Sequence, residues 1–224
     1  ILASLRTRES WPVHIGALIY LDDLGMYFIL LVNLVAFFAS SYTPQYIEYD
    51  ARHNRFHDPR WFHVFFNLFH FTMLAVPLAD HLVLLWIMVE LTTIVSTVLV
   101  RYRRDRAALE AAWKFILITT TGIIFALLGT LFLADAIPQD AGLEMRWSVL
   151  AQSGNASRLD SKYMMLSFIF ILLGDGTKAG LAPMHTWLPD GHGEAPSPVS
   201  ALLSGVMLKS ALYAILRIYT ITSL

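Results

Sequence analysis

Three ionisable side chains stand near the middle of separate apolar segments: Glu90, Lys178 and Lys209. Each segment is about as long as the ~20 residues that a helix needs to cross the hydrocarbon core of a bilayer. A charge at that depth costs roughly 2.5–3.5 kcal/mol, so the three cost on the order of 8–10 kcal/mol unless they are paired or hydrated. Residues of this kind mark ion paths, and the pattern therefore predicts ion-translocation chemistry.

Proton exchange is the chemistry that a buried lysine and a glutamate can perform together. Desolvation disfavours an ammonium ion, so a buried lysine releases its proton readily. A nearby carboxylate raises the proton affinity of the lysine, and this effect is lost when the carboxylate moves away. We therefore expect Glu90, Lys178 and Lys209 to form a proton relay. The alternative is a buried Glu90–Lys178 salt bridge that only fixes helix packing, but it leaves Lys209 unexplained.

Three further candidates each have a structural alternative. Lys114 follows Glu110 by four residues, so a local ion pair explains it as well as a role in proton entry does. His70 lies inside an apolar run, where helix packing is the simpler role, although an imidazole could join a relay. Asp175 precedes Lys178 by three residues. It could pair with that lysine on an intact turn, or cap the backbone on a broken one.

The polar elbow after Lys178 offers no persuasive metal or phosphate site. Its potential ligands lie in a Pro/Gly-rich turn rather than four residues apart on a helix, which favours a structural role: His185, Asp190, His192 and Glu194. GDGTKAG lacks the spacing of a phosphate-binding loop. The chain has no cysteine, which excludes thiolate chemistry and Cys-ligated centres. We expect no metal and no cofactor in this chain.

The composition indicates a membrane protein. Of the 224 residues, 56% are apolar and only 15% are charged, against about 45–50% and 25% in soluble domains. The net charge of −1 gives no reason to expect a nucleic-acid partner. Since lipid permits only helices or closed barrels, we predict an all-α, polytopic membrane helix bundle.

Six transmembrane helices are predicted. Their expected bounds are 21–41, 61–79, 81–100, 110–134, 163–187 and 198–220. The preceding piece HIGALIY alternates in polarity and could be extended at the membrane surface. The short basic loops at 42–60 and 101–106, and with them the elbow at 188–197, are predicted to be cytoplasmic.

The fifth predicted span is expected to be a broken helix around Lys178. Gly174, Gly176 and Gly180 should loosen it, and Pro183 removes a backbone donor and clashes with the preceding turn. A lysine beside a helix break is a recurrent feature of ion sites within membranes.

Four motifs carry a resemblance to a known family. They are FTML at 71–74, W-x-x-x-E-x-T-T at 86–93, EAAWK at 110–114 and GTKAGLAPMHTWLPDGHGEAPSPVSALLS at 176–204. The chain resembles the proton-translocating antiporter-type membrane subunits of respiratory complex I, Mrp antiporters and group 4 hydrogenases, in particular the hydrogenase-4 component F branch.

The resemblance implies an organisation and a set of roles. Residues 1–60 would hold a surface segment, the first transmembrane helix and a cytoplasmic loop. Residues 61–224 would be a five-helix repeat, with an inverted copy expected after Leu224. In such subunits the carboxylate at Glu90 pairs with Lys178, and Lys209 passes protons towards a central hydrophilic axis. One repeat alone would then supply half of a path.

The resemblance also implies partners and a location. We expect other membrane subunits, a peripheral oxidoreductase arm that holds the redox centres, the lipid bilayer, protons as the transported species and a bacterial inner membrane. The predicted function is redox-driven proton translocation. Alternatives are a sodium/proton antiporter, a membrane subunit for inorganic-carbon uptake, or a subunit that only anchors peripheral enzymes.

Overall fold

The computed structural model describes residues 12–53, 58–103, 105–138 and 142–223. It contains one antiparallel hairpin and ten α-helices among these residues. The strands are β1 (Val13–Ile15) and β2 (Ile19–Leu21). The helices are α1 (Asp23–Arg52), α2 (Pro59–Ala75), α3 (Leu82–Val100), α4 (Arg106–Asp135), α5 (Trp147–Leu150), α6 (Ser153–Ala156), α7 (Ser161–Ala179), α8 (Leu188–Glu194), α9 (Ser197–Leu202) and α10 (Leu208–Thr222). A 3₁₀ turn (Val76–Leu78) follows α2, and a π-helical turn (Leu203–Met207) joins α9 to α10.

Five helical segments among the described residues are long and apolar enough to cross a membrane. They are α1, α2 with its 3₁₀ turn, α3, α4, and α9 with α10. The fifth predicted span corresponds to α7, which has 19 residues and carries Lys162, Asp175 and Lys178. The predicted polytopic helical bundle is confirmed, with the HIGALIY piece folded as the β1–β2 hairpin.

The first helix is longer than predicted. We expected it to end at Ser41 and a loop to follow, but α1 continues to Arg52 with Pro44 inside it. Glutamate and arginine favour helix on its exposed face, where Glu48 and Arg52 form an i, i+4 ion pair of 2.5 Å. The expected surface segment at 1–11 and the part of the predicted loop at 54–57 lie outside the described residues.

The predicted loosening of the fifth span at Gly174 and Gly176 is wrong. Helix α7 is regular through both glycines and ends at Gly180, which adopts the left-handed conformation (φ 79°). A Cβ at Gly174 would collide with the amide nitrogen of Ala126 and the carbonyl oxygen of Gly122 on α4. This glycine therefore permits close helix packing rather than a break.

The sixth predicted span corresponds to one membrane-length helical segment, Ser197–Thr222, which contains a π-helical turn. Its first turns form α9, the π-helical turn follows, and α10 begins one residue before Lys209. Gly205 within this turn lies against α1, since a Cβ there would be 2.8 Å from Cγ1 of Val35. π-helical turns of this kind interrupt α-helices and occur frequently at functional sites.

The helix ends separate into two groups. The carboxyl end of α3, the amino end of α4 and the elbow helix α8 share one end of the bundle, because Lys114 contacts Asp190. The hairpin, the 3₁₀ turn and the carboxyl end of α10 share the opposite end. Apolar side chains from α1, α2, α3, α4 and α9 form one core cluster, and two further clusters include residues of α10.

Candidate proton-relay site

Lys178 is fully buried on the last turn of α7. Its ammonium donates hydrogen bonds to the carbonyl oxygen of Val89 and, at 2.5 Å, to the hydroxyl oxygen of Thr93. Both acceptors belong to α3, so the lysine side chain connects the end of α7 to that helix. The ammonium thus has two neutral oxygen partners.

Glu90 follows Val89 on α3 and is half-buried. One carboxylate oxygen accepts a hydrogen bond of 3.4 Å from the Thr120 hydroxyl, while Oε2 is buried without a hydrogen-bond partner among the described residues. The charges of Glu90 and Lys178 act on each other. Yet within the described chain no carboxylate oxygen lies within 4.0 Å of the Lys178 nitrogen. The structure brings the two groups together without a direct ion pair.

Asp175 lies one turn before Lys178 and is 5% exposed. Since α7 is unbroken there, the alternative in which Asp175 caps a broken turn does not apply. The residue lines a cavity of about 20 Å³, together with Trp86 and Thr130. A cavity of roughly 10–15 Å³ is enough to hold a water molecule. The space beside Asp175 is therefore large enough for one water molecule.

Lys209 is separate from this interior group. Its side chain is exposed, and its ammonium donates a hydrogen bond to the carbonyl oxygen of Ser204 in the π-helical turn. The structure therefore unites Glu90, Asp175 and Lys178 and leaves Lys209 apart. The assigned roles of all four residues stay predictions.

Two elbow residues connect the surroundings of Lys178 with Lys209. The fully buried indole of Trp187 donates a 2.9 Å hydrogen bond to the carbonyl oxygen of Thr177. The same ring stacks on His192, with centroids 6.1 Å apart. Burial and, secondly, the Lys209 ammonium lower the pKa of His192. We considered His192 only as a turn or metal residue from the sequence, where nothing revealed its proximity to Lys209.

Lys114 forms ion pairs of 2.7 Å with Glu110 and 2.9 Å with Asp190. The first is the local pair that we weighed against proton entry, and the second was not predicted. Since all three side chains are exposed, this cluster is weak as a source of stability. His70 on α2 is half-buried, and its Nε2 has no hydrogen-bond partner in the described part of the chain. Both of its proposed roles therefore remain open.

The elbow carboxylates and imidazoles do not converge. Among the described residues, no three His, Asp or Glu side chains are grouped so that they could hold a metal ion. Asp190 is instead paired with Lys114.

A charged cluster at the opposite end was not predicted as a unit. Arg217 makes two hydrogen bonds to the carboxylate of Asp22, one of them 2.8 Å long, and its guanidinium lies 3.8 Å from the centre of the Trp147 ring. Asp80 accepts hydrogen bonds of 2.8 Å from Arg146 and from the Ser148 hydroxyl. We call these residues the end cluster. The sequence shows its members only as scattered charges near helix ends.

Comparison with known proteins identifies relatives of this chain. Residues 79–223 match the family described as NADH:quinone oxidoreductase/Mrp antiporter, TM. A "Hydrogenase-4 component F homolog" from Methylacidiphilum infernorum is 39% identical over 207 residues, which cover 90% of this chain and 43% of that protein. A "Na(+)/H(+) antiporter subunit A1" from Staphylococcus aureus is 33% identical over 213 residues, covering 93% of this chain and 25% of that protein.

The fold has a counterpart in a solved structure. A chain of respiratory complex I from Thermus thermophilus superimposes with a TM-score of 0.73 at 24% identity, covering 96% of this chain and 44% of the other. The chain thus spans less than half the length of these relatives. The matches and the membrane-length helices together show that this integral membrane chain belongs to the NADH:quinone oxidoreductase/Mrp antiporter transmembrane family.

Proposed function

We propose that this chain carries one half of a proton path, in which Glu90 and Lys178 exchange protons and Lys209 leads onward. The observation that carries the proposal is the mismatch at Lys178. Its ammonium is fully buried and bound to neutral oxygens, while a carboxylate oxygen of Glu90 lies buried nearby without a hydrogen-bond partner among the described residues. Burial without a direct counter-ion disfavours the charged form of a lysine. The charged and neutral forms of Lys178 are therefore closer in free energy than those of an exposed lysine, and a proton can be gained or lost at a smaller energetic cost.

The proposed cycle follows from these positions. Approach of the Glu90 carboxylate favours the ammonium form of Lys178, and its withdrawal favours release of one proton from that nitrogen. Water in the cavity beside Asp175 would supply short links. Trp187 and His192 line the way from Thr177 to Lys209, where the imidazole can accept a proton and pass it on.

The energy would come from a partner subunit. Moving one proton against 100 mV requires about 2.3 kcal/mol, which a redox event elsewhere could supply through an electrostatic switch. Relatives named as a hydrogenase-4 component and as part of respiratory complex I support membership in such a complex. We propose other membrane subunits and a peripheral oxidoreductase arm as partners, and a bacterial inner membrane as the location.

The test uses the full-length protein in its intact complex, reconstituted into vesicles. We expect Lys178→Met and Glu90→Gln each to reduce proton translocation at least about tenfold, the effect of a barrier raised by about 1.4 kcal/mol. Redox centres in partner subunits should remain in place. Lys162→Met is the matched control, because Lys162 is an exposed lysine at the beginning of the same helix, α7. Wild-type translocation in both interior variants would refute the proposal.

A second candidate function is sodium/proton antiport. The Staphylococcus aureus relative is named an antiporter subunit and aligns with 93% of this chain. Sodium-dependent proton movement in vesicles without any oxidoreductase activity would favour this function over redox-driven translocation.

A further inference from the structure

An open groove of about 560 Å³ lies on the side of the bundle, at the end that carries the 101–106 loop. The beginning of α2, the end of α3 and the beginning of α4 form its walls. Its volume is in the range of sites that bind small molecules, about 300–1,000 Å³. It lies at the end of the membrane-length helices, where the hydrocarbon core meets the polar region.

The walls of this groove combine aromatic and aliphatic side chains. Trp61 and Trp113 are each 59% exposed, and Val98 and Ile116 continue the apolar surface along α3 and α4. Tryptophan is enriched where membrane proteins cross the level of the lipid headgroups. The two rings therefore indicate the depth of the groove in the bilayer, and the aliphatic strip extends from them along the helices.

The groove also contains an exposed cation, Arg101. Arg101 lines it and is exposed, and in the described part of the chain its guanidinium makes no ion pair or side-chain hydrogen bond. Arg103, two residues later, differs because it binds the Tyr46 hydroxyl at 2.6 Å. The one acidic residue of the groove, Asp58, uses a carboxylate oxygen to cap α2 through the amide of Arg60. Arg101 thus remains available to an anion.

We propose that this groove binds an anionic phospholipid. The phosphate would contact Arg101, the glycerol region would lie between Trp61 and Trp113, and an acyl chain would follow Val98 and Ile116. The exposed guanidinium of Arg101 favours this occupant over a zwitterionic lipid, because arginine beside a membrane-spanning helix attracts acidic headgroups. A partner protein would be expected to cover the two tryptophans but does not account for the unpaired guanidinium.

The experiment measures lipid retention by native mass spectrometry on the full-length protein in its complex. The complex is delipidated in detergent and supplied with phosphatidylglycerol or phosphatidylcholine. We expect preferential retention of phosphatidylglycerol, and about a tenfold loss in Arg101→Gln, because a hydrogen bond to a charged group is lost. Arg106→Gln is the matched control. It removes an exposed arginine of the same loop that does not line the groove.

Two further variants keep the proposal testable if Arg101→Gln folds poorly. Asp58→Asn retains an N-cap side chain but removes a negative charge, so it should strengthen retention of phosphatidylglycerol. Val98→Trp keeps Arg101 and fills the groove, so it should weaken retention. Equal binding of both lipids, unchanged retention in Arg101→Gln and Val98→Trp, or a photo-crosslink from position 98 to a partner subunit would each overturn the proposal.

Discussion

The interior of the bundle and its end cluster differ in how their buried charged side chains are paired. In the end cluster, Arg217 donates two hydrogen bonds to the carboxylate of Asp22. Its guanidinium also lies over the rings of Trp147 and Tyr213. In the interior, Lys178 contacts only neutral oxygens among the described residues, and Glu90 retains a buried oxygen without a partner there. Both regions contain acidic and basic side chains, but only the first pairs them directly.

The difference distinguishes ion pairs that stabilise the fold from ionisable groups that can gain or lose a proton. A bidentate pair loses its partner's stabilisation when either group changes protonation, so it resists such a change. A lysine without a direct counter-ion loses less electrostatic stabilisation when it releases its proton. We infer that the end cluster fixes the hairpin and α10, whereas the interior is arranged for proton exchange.

Replacing the end-cluster cation should produce the largest loss of stability. Arg217→Met leaves the Asp22 carboxylate without its partner, which we expect to lower the free energy of unfolding by about 3–5 kcal/mol. Chemical or thermal unfolding of the purified protein measures this change. Arg158→Met, at an exposed arginine, is the control and should change little. An equal, small effect of both variants would remove the contrast between the two regions.

Replacing the interior cation should have a smaller effect on stability. Lys178→Met removes a buried charge that has no direct counter-ion among the described residues, and the neighbouring carboxylates of Glu90 and Asp175 can each take up a proton in its absence. We expect the free energy of unfolding to change by less than in Arg217→Met. The same unfolding measurement tests this. A loss comparable with that of Arg217→Met would mean that Lys178 is a structural ion pair.

The pH dependence of the end cluster should sharpen the comparison further. Burial alone would raise the pKa of Asp22, but the hydrogen bonds from Arg217 and from the Gly25 amide outweigh it and lower that pKa below its ordinary value. A depressed folded-state pKa contributes stability at neutral pH, which is lost as the pH falls through that value.

The corresponding measurement compares the wild type with Asp22→Asn. The wild type should be the more stable by roughly 1–3 kcal/mol at pH 7. The difference should shrink as the pH falls below about 4, the ordinary pKa of an aspartate, and should disappear only below the depressed folded-state pKa. A difference that persists in acid would show that the Asp22 contribution is not its charge.

The sequence reveals the interior group better than it reveals the end cluster. Glu90 and Lys178 are visible because a charge in a long apolar run is costly wherever the helices pack. Arg217 lies near the end of its helix, where arginine can reach the membrane surface, so its burial depends on Trp147 and Asp22, which are distant in the chain. Pairings of this kind follow from tertiary packing alone.

Glycine and the π-helical turn show the same limit. The sequence could not distinguish a glycine that loosens a helix from one that admits a neighbouring helix, and Gly174 is the second kind. Likewise, apolarity predicted the sixth span but not the π-helical turn before Lys209, where Gly205 lies against α1. Periodicity and composition therefore indicate which helices exist, while their close contacts decide local geometry.

The most direct test observes Glu90 during turnover. Infrared difference spectroscopy of the intact complex detects the carbonyl stretch of a carboxyl group as it gains or loses a proton. We predict a turnover-linked carboxyl signal that is absent in Glu90→Gln, strongly reduced in Lys178→Met and unchanged in Lys162→Met. A signal that persists in Glu90→Gln, or one that Lys178→Met leaves intact, would contradict proton exchange between these two residues.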